Sequence, residues 1–258
     1  MDNKIQSLFD NKKNNILNIY FTAGYPKLDD TQKIINELVK ADVDILEIGI
    51  PYSDPLADGT TIQESSKIAL ENGISLELVI EQLRESRKTT DIPIIIMGYY
   101  NQFLQYGMEK LIKKLSDISI DGMIIPDLPM DYYEKKYKEL FEKHNMSICF
   151  LVTPQTSSLR IKQADTMSTG FLYIVSQSSI TGGKNSISED QVNYFEKLKS
   201  MHLRTSTLIG FGIYNNYTFE KACEYANGAI IGSAFIRMLG DKGIDAISGF
   251  INSIRNDN

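Results

Sequence analysis

The sequence predicts a single (β/α)8 barrel over residues 1–258, with an extra N-terminal helix and an added helix after the second strand. Three observations lead there. Eight short apolar runs recur along the chain, and most are aliphatic at consecutive rather than alternate positions. Parallel strands covered by helices on both faces read this way. Amphipathic stretches of helical period separate the runs, and no low-complexity linker divides them. The rival α/β architecture, a doubly wound open sheet, is disfavoured because no G-x-G-x-x-G turn follows the first strand.

Residues 1–10 read as a helix that plugs the bottom of the barrel. The first strand is expected at 16–21, then a helix over 29–40 with Asp29 at its N-cap. The second strand, 45–48, runs into a loop over 51–60. Helical stretches at 62–72 and 76–89 follow, one more than a simple βα unit needs. Strands at 94–97 and 122–125 come next, then a helix over 132–144 and a strand over 147–151. The sixth strand, 171–175, leads to a helix over 189–200 capped by Ser188. The seventh strand, 207–209, is followed by a helix over 216–225, and the eighth lies at 229–231.

Composition narrows the function. The chain is 42% hydrophobic and 23% charged, as globular proteins are. A net charge of −6 argues against a nucleic-acid partner. No apolar run approaches the roughly 20 residues of a membrane span. The opening M-D-N-K-I-Q-S-L-F-D lacks the apolar core of a signal peptide, so the cytoplasm is the expected location. Cys149 and Cys223 sit in apolar settings and read as core thiols of a reducing compartment. His144 and His202 follow helix-like segments as surface residues would, and without clustered Cys or His no metal site is expected.

The barrel expectation places chemistry at the C-terminal ends of the strands. Glu47 lies inside the second apolar strand, where an unpaired carboxylate is costly and tends to take up a proton. Asp58 waits in the loop beyond. Two carboxyls in unequal surroundings suit acid–base chemistry. The bland readings are a satisfied core acid for Glu47 and turn residues for Asp54 and Asp58. G-F-G-I (210–213) and G-S-A-F (232–235) follow the last two strands, where barrels often hold a phosphate on backbone N–H groups and a helix N-terminus. T-G-G (181–183) adds donors after the sixth strand. Tyr20, Phe21, Met97 and Phe211 lie near strand ends and suit either an apolar pocket or core packing. The residues alone therefore point to a barrel enzyme with an organophosphate substrate and two carboxyls.

The string P-Y-S-D-P-L-A-D-G-T-T-I-Q, with Glu47 ahead of it, closely resembles the signature of the tryptophan synthase alpha subunit family. The likeness continues in order through F-T-A-G-Y-P (21–26), G-Y-Y-N (98–101), P-D-L-P (126–129), Y-I-V-S (173–176), I-T-G (180–182), G-F-G-I and G-S-A-F. It implies a lyase that cleaves indole-3-glycerol phosphate to indole and glyceraldehyde 3-phosphate. Glu47 matches the general acid–base residue and Asp58 the residue that holds the indole N–H. On this reading Glu47 has a raised pKa, while a wetter Asp58 stays ionised. Tyr173 and Thr181 match residues that support catalysis. Gly182, Gly212, Gly232 and Ser233 match the phosphate site, and Tyr20, Met97 and Phe211 the indole pocket. The resemblance implies no cofactor in this chain. It implies a beta-subunit partner carrying pyridoxal phosphate, an alpha2beta2 assembly, and Pro51, Asp54, Asn101 and Pro129 facing that partner. Gln177 and Ser179 depart from the family pattern, which bears on loop closure and coupling more than on chemistry. The alternatives are a stand-alone lyase, a non-catalytic activator of a beta-type partner, and another phosphate-binding barrel. A Schiff-base aldolase would need a lysine within a strand, and the candidate strands hold none.

Overall fold

The computed structural model describes residues 3–176, 189–210 and 212–256. Nine parallel strand segments form one sheet: β1 (Ile16–Thr22), β2 (Ile45–Gly49), β3 (Ile94–Met97), β4 (Gly122–Ile124), β5 (Ser147–Cys149), β6 (Leu151–Val152), β7 (Leu172–Val175), β8 (Thr207–Gly210) and β9 (Gly228–Ile231). Their order is β5-β4-β3-β2-β1-β9-β8-β7-β6. The two edges, β5 and β6, flank Phe150 in one stretch of chain. Eight staves therefore close into a barrel, with the fifth pairing to β4 by its first half and to β7 by its second.

The sequence predicts the fifth stave as one strand over 147–151. It splits because side-chain chemistry interrupts the ladder. The Phe150 N–H donates to the Ser168 hydroxyl (3.2 Å), and the N–H groups of Thr169 and Gly170 both turn to the Ile148 carbonyl. The Phe150 carbonyl still accepts from the Tyr173 N–H (2.9 Å), which keeps the ring closed.

Register decides which side chains meet inside. Tyr20 pairs with Glu47, and Glu47 with Ile95, so these three point to the same side. Asn18, two residues before Tyr20, lies on that face as well. The opposite face of the same strands is aliphatic and fully buried under the helices: Leu17, Ile19, Leu46, Ile48, Ile94, Ile96 and Ile231. Each such side chain contributes about 1.5–3 kcal/mol on burial.

The N-terminal helix, Lys4–Asn11, lies across the bottom of the barrel, as expected. Asn3 caps it by accepting from the Ile5 N–H (3.0 Å). The Asn3 amide also donates to the carbonyls of Asp121 and Asn145 (both 2.9 Å), which precede β4 and β5. Ile5 is fully buried, and Phe9 meets Phe171 at 6.3 Å between ring centroids.

Two helices differ from expectation. The helix after β1 begins at Thr31, behind a short 3-10 turn over Leu28–Asp30, so Asp29 is not its cap. Asp30 takes the cap position and pairs with Lys33 (2.9 Å) rather than with a backbone N–H. The stretch 132–144 is two helices, Met130–Lys136 and Lys138–Lys143, because Tyr137 leaves helical geometry at φ −121° and ψ −16°. Its hydroxyl lies 2.7 Å from that of Tyr100. Ser188 lies outside the described residues. The added helix after β2 is present, as Thr60–Glu71 and Leu76–Ser86.

Candidate active site

Glu47 is the third of the five residues of β2, inside the barrel and fully buried. The Asn18 amide donates to its Oε2 at 2.8 Å. Its Oε1 has no hydrogen-bond partner among the described residues. Burial pushes the Glu47 pKa up to about 8, the negative field of Asp58 adds to this, and the Asn18 N–H opposes it. The carboxyl is therefore a neutral acid near pH 7, as a strand-bound acid in apolar surroundings should be.

Two phenols frame it. Tyr20 and Tyr173 are almost wholly buried, and both lean toward the C-terminal mouth. The Tyr20 hydroxyl lies over Gly49, where a Cβ would stand 2.1 Å from it. The Tyr173 hydroxyl lies over Gly210, where the corresponding distance is 2.4 Å. Glycine is required at both positions because any side chain there would displace a phenol. Burial raises the pKa of both tyrosines. The charge of Asp58 adds most to the effect at Tyr20, and that of Glu47 most at Tyr173. Both phenols stay neutral donors.

Asp58 lies in the loop after β2 and is half-buried. Burial raises its pKa to about 6, and a hydrogen bond from the Tyr99 hydroxyl holds it down. It differs from an open, wet loop acid, yet it is ionised at neutral pH. The two carboxyls are thus separated in acidity by about two units in opposite directions from neutrality. Among exposed residues such values would be unusual; here desolvation is the first cause of both.

The loop after β2 is tied to the start of the helix that follows β3, Tyr100–Tyr106. The Tyr99 hydroxyl accepts from the Ala57 N–H (2.9 Å), and its ring stacks on Tyr52 at 5.2 Å. The Asn101 amide donates to the Tyr52 hydroxyl (3.1 Å), and Gln102 donates to the Pro51 carbonyl (2.8 Å). Sequence reasoning missed Asn18 as well as the parts played by Tyr99 and Gln102. Asn18 carried a usable signal, an amide inside an apolar strand, of the same kind that singled out Glu47.

The remaining expected residues fall as follows. Gly232 precedes the helix Ser233–Lys242, and Ser233 is its first residue, so free N–H groups face the C-terminal mouth beside Tyr20. Gly212 follows β8 with φ +78°, a conformation other residues rarely adopt. These positions suit a phosphate at a helix N-terminus. Met97 ends β3 in register with Gly49, at the level of the mouth. Asp54, Asn101 and Pro129 are exposed, whereas Pro51 is buried and offers no surface as the loop stands. Thr181, Gly182, Phe211, Gln177 and Ser179 lie outside the described residues.

Fold and site together define a (β/α)8 barrel whose interior and mouth bring together two carboxyls of unequal acidity. The family model for the tryptophan synthase alpha chain matches residues 6–255. The chain is 53% identical over 249 residues to the alpha chain of Flavobacterium psychrophilum, covering 96% of this chain and 98% of the relative. It is 50% identical over 255 residues to that of Flavobacterium johnsoniae, covering 99% and 100%. Among solved structures, tryptophan synthase subunit alpha from Legionella pneumophila superposes with a TM-score of 0.89 at 28% identity, covering 99% and 98% of the two chains. The alpha subunit from Pyrococcus furiosus gives 0.85 at 31% identity, covering 94% and 98%. The chain belongs to the tryptophan synthase alpha chain family.

Proposed function

We infer that the chain is a carbon–carbon lyase that cleaves indole-3-glycerol phosphate to indole and glyceraldehyde 3-phosphate. The observation that carries this reading is the pair of carboxyls, one buried with a pKa near 8 and one with a pKa near 6, at the C-terminal mouth of the barrel. Glu47 gives its proton to the ring carbon that bears the glycerol chain. Ionised Asp58 holds the ring N–H and stabilises the positive charge that develops on the ring. Glu47, now a carboxylate, takes the proton of the neighbouring hydroxyl. The carbon–carbon bond breaks, its electrons return to the ring, and the aldehyde forms. Glu47 ends protonated again, ready for the next turnover.

Gly212, Gly232 and Ser233 are proposed to hold the phosphate, with Gly182 completing the cradle. Tyr20, Met97 and Phe211 would enclose the indole, and Tyr173 and Thr181 would support the two carboxyls. This family works with a beta subunit. We propose that the complex is an alpha2beta2 heterotetramer, that pyridoxal phosphate resides on the beta partner, and that Asp54, Asn101 and Pro129 belong to the contact.

The test is indole release from indole-3-glycerol phosphate by the purified chain, alone and with a tryptophan synthase beta subunit. Slow release that rises with the partner is the expected result. Fast release without it would identify a stand-alone lyase. No release from folded protein under either condition would overturn the reading in favour of a non-catalytic activator.

A further inference from the structure

Buried carboxyls that exchange protons face a problem of direction. A carboxyl has two oxygens, and only one can meet the reacting atoms in a fixed geometry. An ionic partner would settle the orientation but hold the group ionised. A neutral amide can settle it while leaving the proton in place.

Asn18 and Glu47 are brought together across β1 and β2, and both are fully buried. The amide donates to Oε2 at 2.8 Å. Neither Asn18 Oδ1 nor Glu47 Oε1 has a hydrogen-bond partner among the described residues. In a neutral carboxyl the carbonyl oxygen is the better acceptor, so the N–H bond marks Oε2 as the carbonyl oxygen and Oε1 as the one that carries the proton. Four other titratable groups lie within electrostatic reach of Glu47: Asp58 in the loop after β2, whose charge acts on it, and Tyr20 on β1, Cys149 on β5 and Tyr173 on β7, on which its own charge acts. The charge of Asp58 raises the Glu47 pKa, and no cation enters its balance. The Asn18 N–H is the contact that lowers it.

We propose that Asn18 is a positioning residue, holding Oε2 of Glu47 so that Oε1 alone exchanges the proton with substrate. This rests on the lyase reading above. Asn18 also limits how far burial can weaken the acid. Without it Glu47 would hold its proton more tightly and point less well, so both halves of the proton cycle would slow. Substrate affinity would change little, because the phosphate is held elsewhere in the mouth.

The variants are Asn18→Leu, close in shape but without the N–H, and Asn18→Ala should the leucine variant not fold. The primary readout is infrared titration of the buried carboxyl in substrate-free protein, with the Glu47 band assigned by its loss in Glu47→Gln. The expected result is a Glu47 titration point higher by about one to two units, roughly 10–100-fold in its dissociation constant. In steady-state kinetics kcat should fall about tenfold or more, with KM nearly unchanged and the alkaline limb moved upward. A merely structural role would lower thermal stability without moving the titration point. An unmoved titration point in the variants overturns the proposal, whatever their activity. A moved titration point in a protein whose wild type releases no indole overturns the lyase reading instead, and with it the catalytic meaning of the contact.

Discussion

The two ends of the barrel surround their buried and half-buried acids in opposite ways. At the bottom, Asp44 accepts from Lys12 (2.6 Å), Arg255 (2.8 Å) and the Leu17 N–H (2.8 Å), joining both chain ends to the start of β2. Asp121 pairs with Arg87 at 2.5 Å and accepts from the Ile94 N–H at 2.9 Å. Asp165 accepts from the N–H groups of Arg204 (3.0 Å) and Thr205 (2.8 Å). At the mouth, Glu47 has one neutral amide, and one of its oxygens has no partner among the described residues. An acid surrounded by donors is a fastener. An acid denied them keeps its proton, which is the state the proposed mechanism needs.

The sharpest break of this contrast is Glu47→Gln. An amide can neither give nor take the proton, so indole release should fall by about 10²–10⁴-fold while the fold survives. Activity close to wild type would rule out the mechanism.

At the other end, Asp121→Ala strands the buried Arg87 guanidinium. It should cost about 3–5 kcal/mol of stability, measured by denaturant unfolding, with kcat of the folded fraction unchanged. A kcat loss without a stability loss would mean that the two ends are not separable.

Glu47→Gln should also raise stability at alkaline pH. The Glu47 pKa is about 8 folded against an ordinary 4.5. Between those values the folded state holds a proton that the unfolded state has released. Its stability is therefore fullest below about pH 4.5 and is lost as pH rises toward 8. Relief of that cost should be on the order of a few kcal/mol at pH 8 and near zero at pH 4. Melting curves of both proteins across this range check it. Equal gains at both pH values would show that ionisation is not the cause.

The wild-type kcat/KM should rise as Asp58 ionises near pH 6 and fall as Glu47 ionises near pH 8. A profile flat across this window would show that these carboxyls do not control the reaction. The smallest expected change is for Tyr99→Phe, which removes one hydrogen bond to Asp58. Loss of that bond should move the acid limb upward and lower the rate about threefold to tenfold. An unmoved limb would place Tyr99 in loop packing alone.

Strand positions were legible to within a residue or two. Stave exteriors such as Leu46 and Ile48, or Ile94 and Ile96, must be aliphatic to be covered by helices, which leaves a plain mark in one dimension. The helix Asn216–Tyr225 was read with its observed bounds, and the helix ending at Ser200 with its observed end. The breaks were not legible. The Phe150 N–H is drawn from its ladder by a serine hydroxyl 18 positions away, and Tyr137 leaves its helix where its hydroxyl meets Tyr100.

By itself the chain order determined a barrel and marked Glu47, because an acid in an apolar run is anomalous wherever the run folds. It could not assign the acid's state. That depended on β1 and β2 aligning so that Asn18, 29 positions away, donates to one oxygen, and on the β2 loop folding Asp58 under Tyr99. Desolvation and hydrogen bonding act through distances in space. Sequence position is silent on those until the staves are in register.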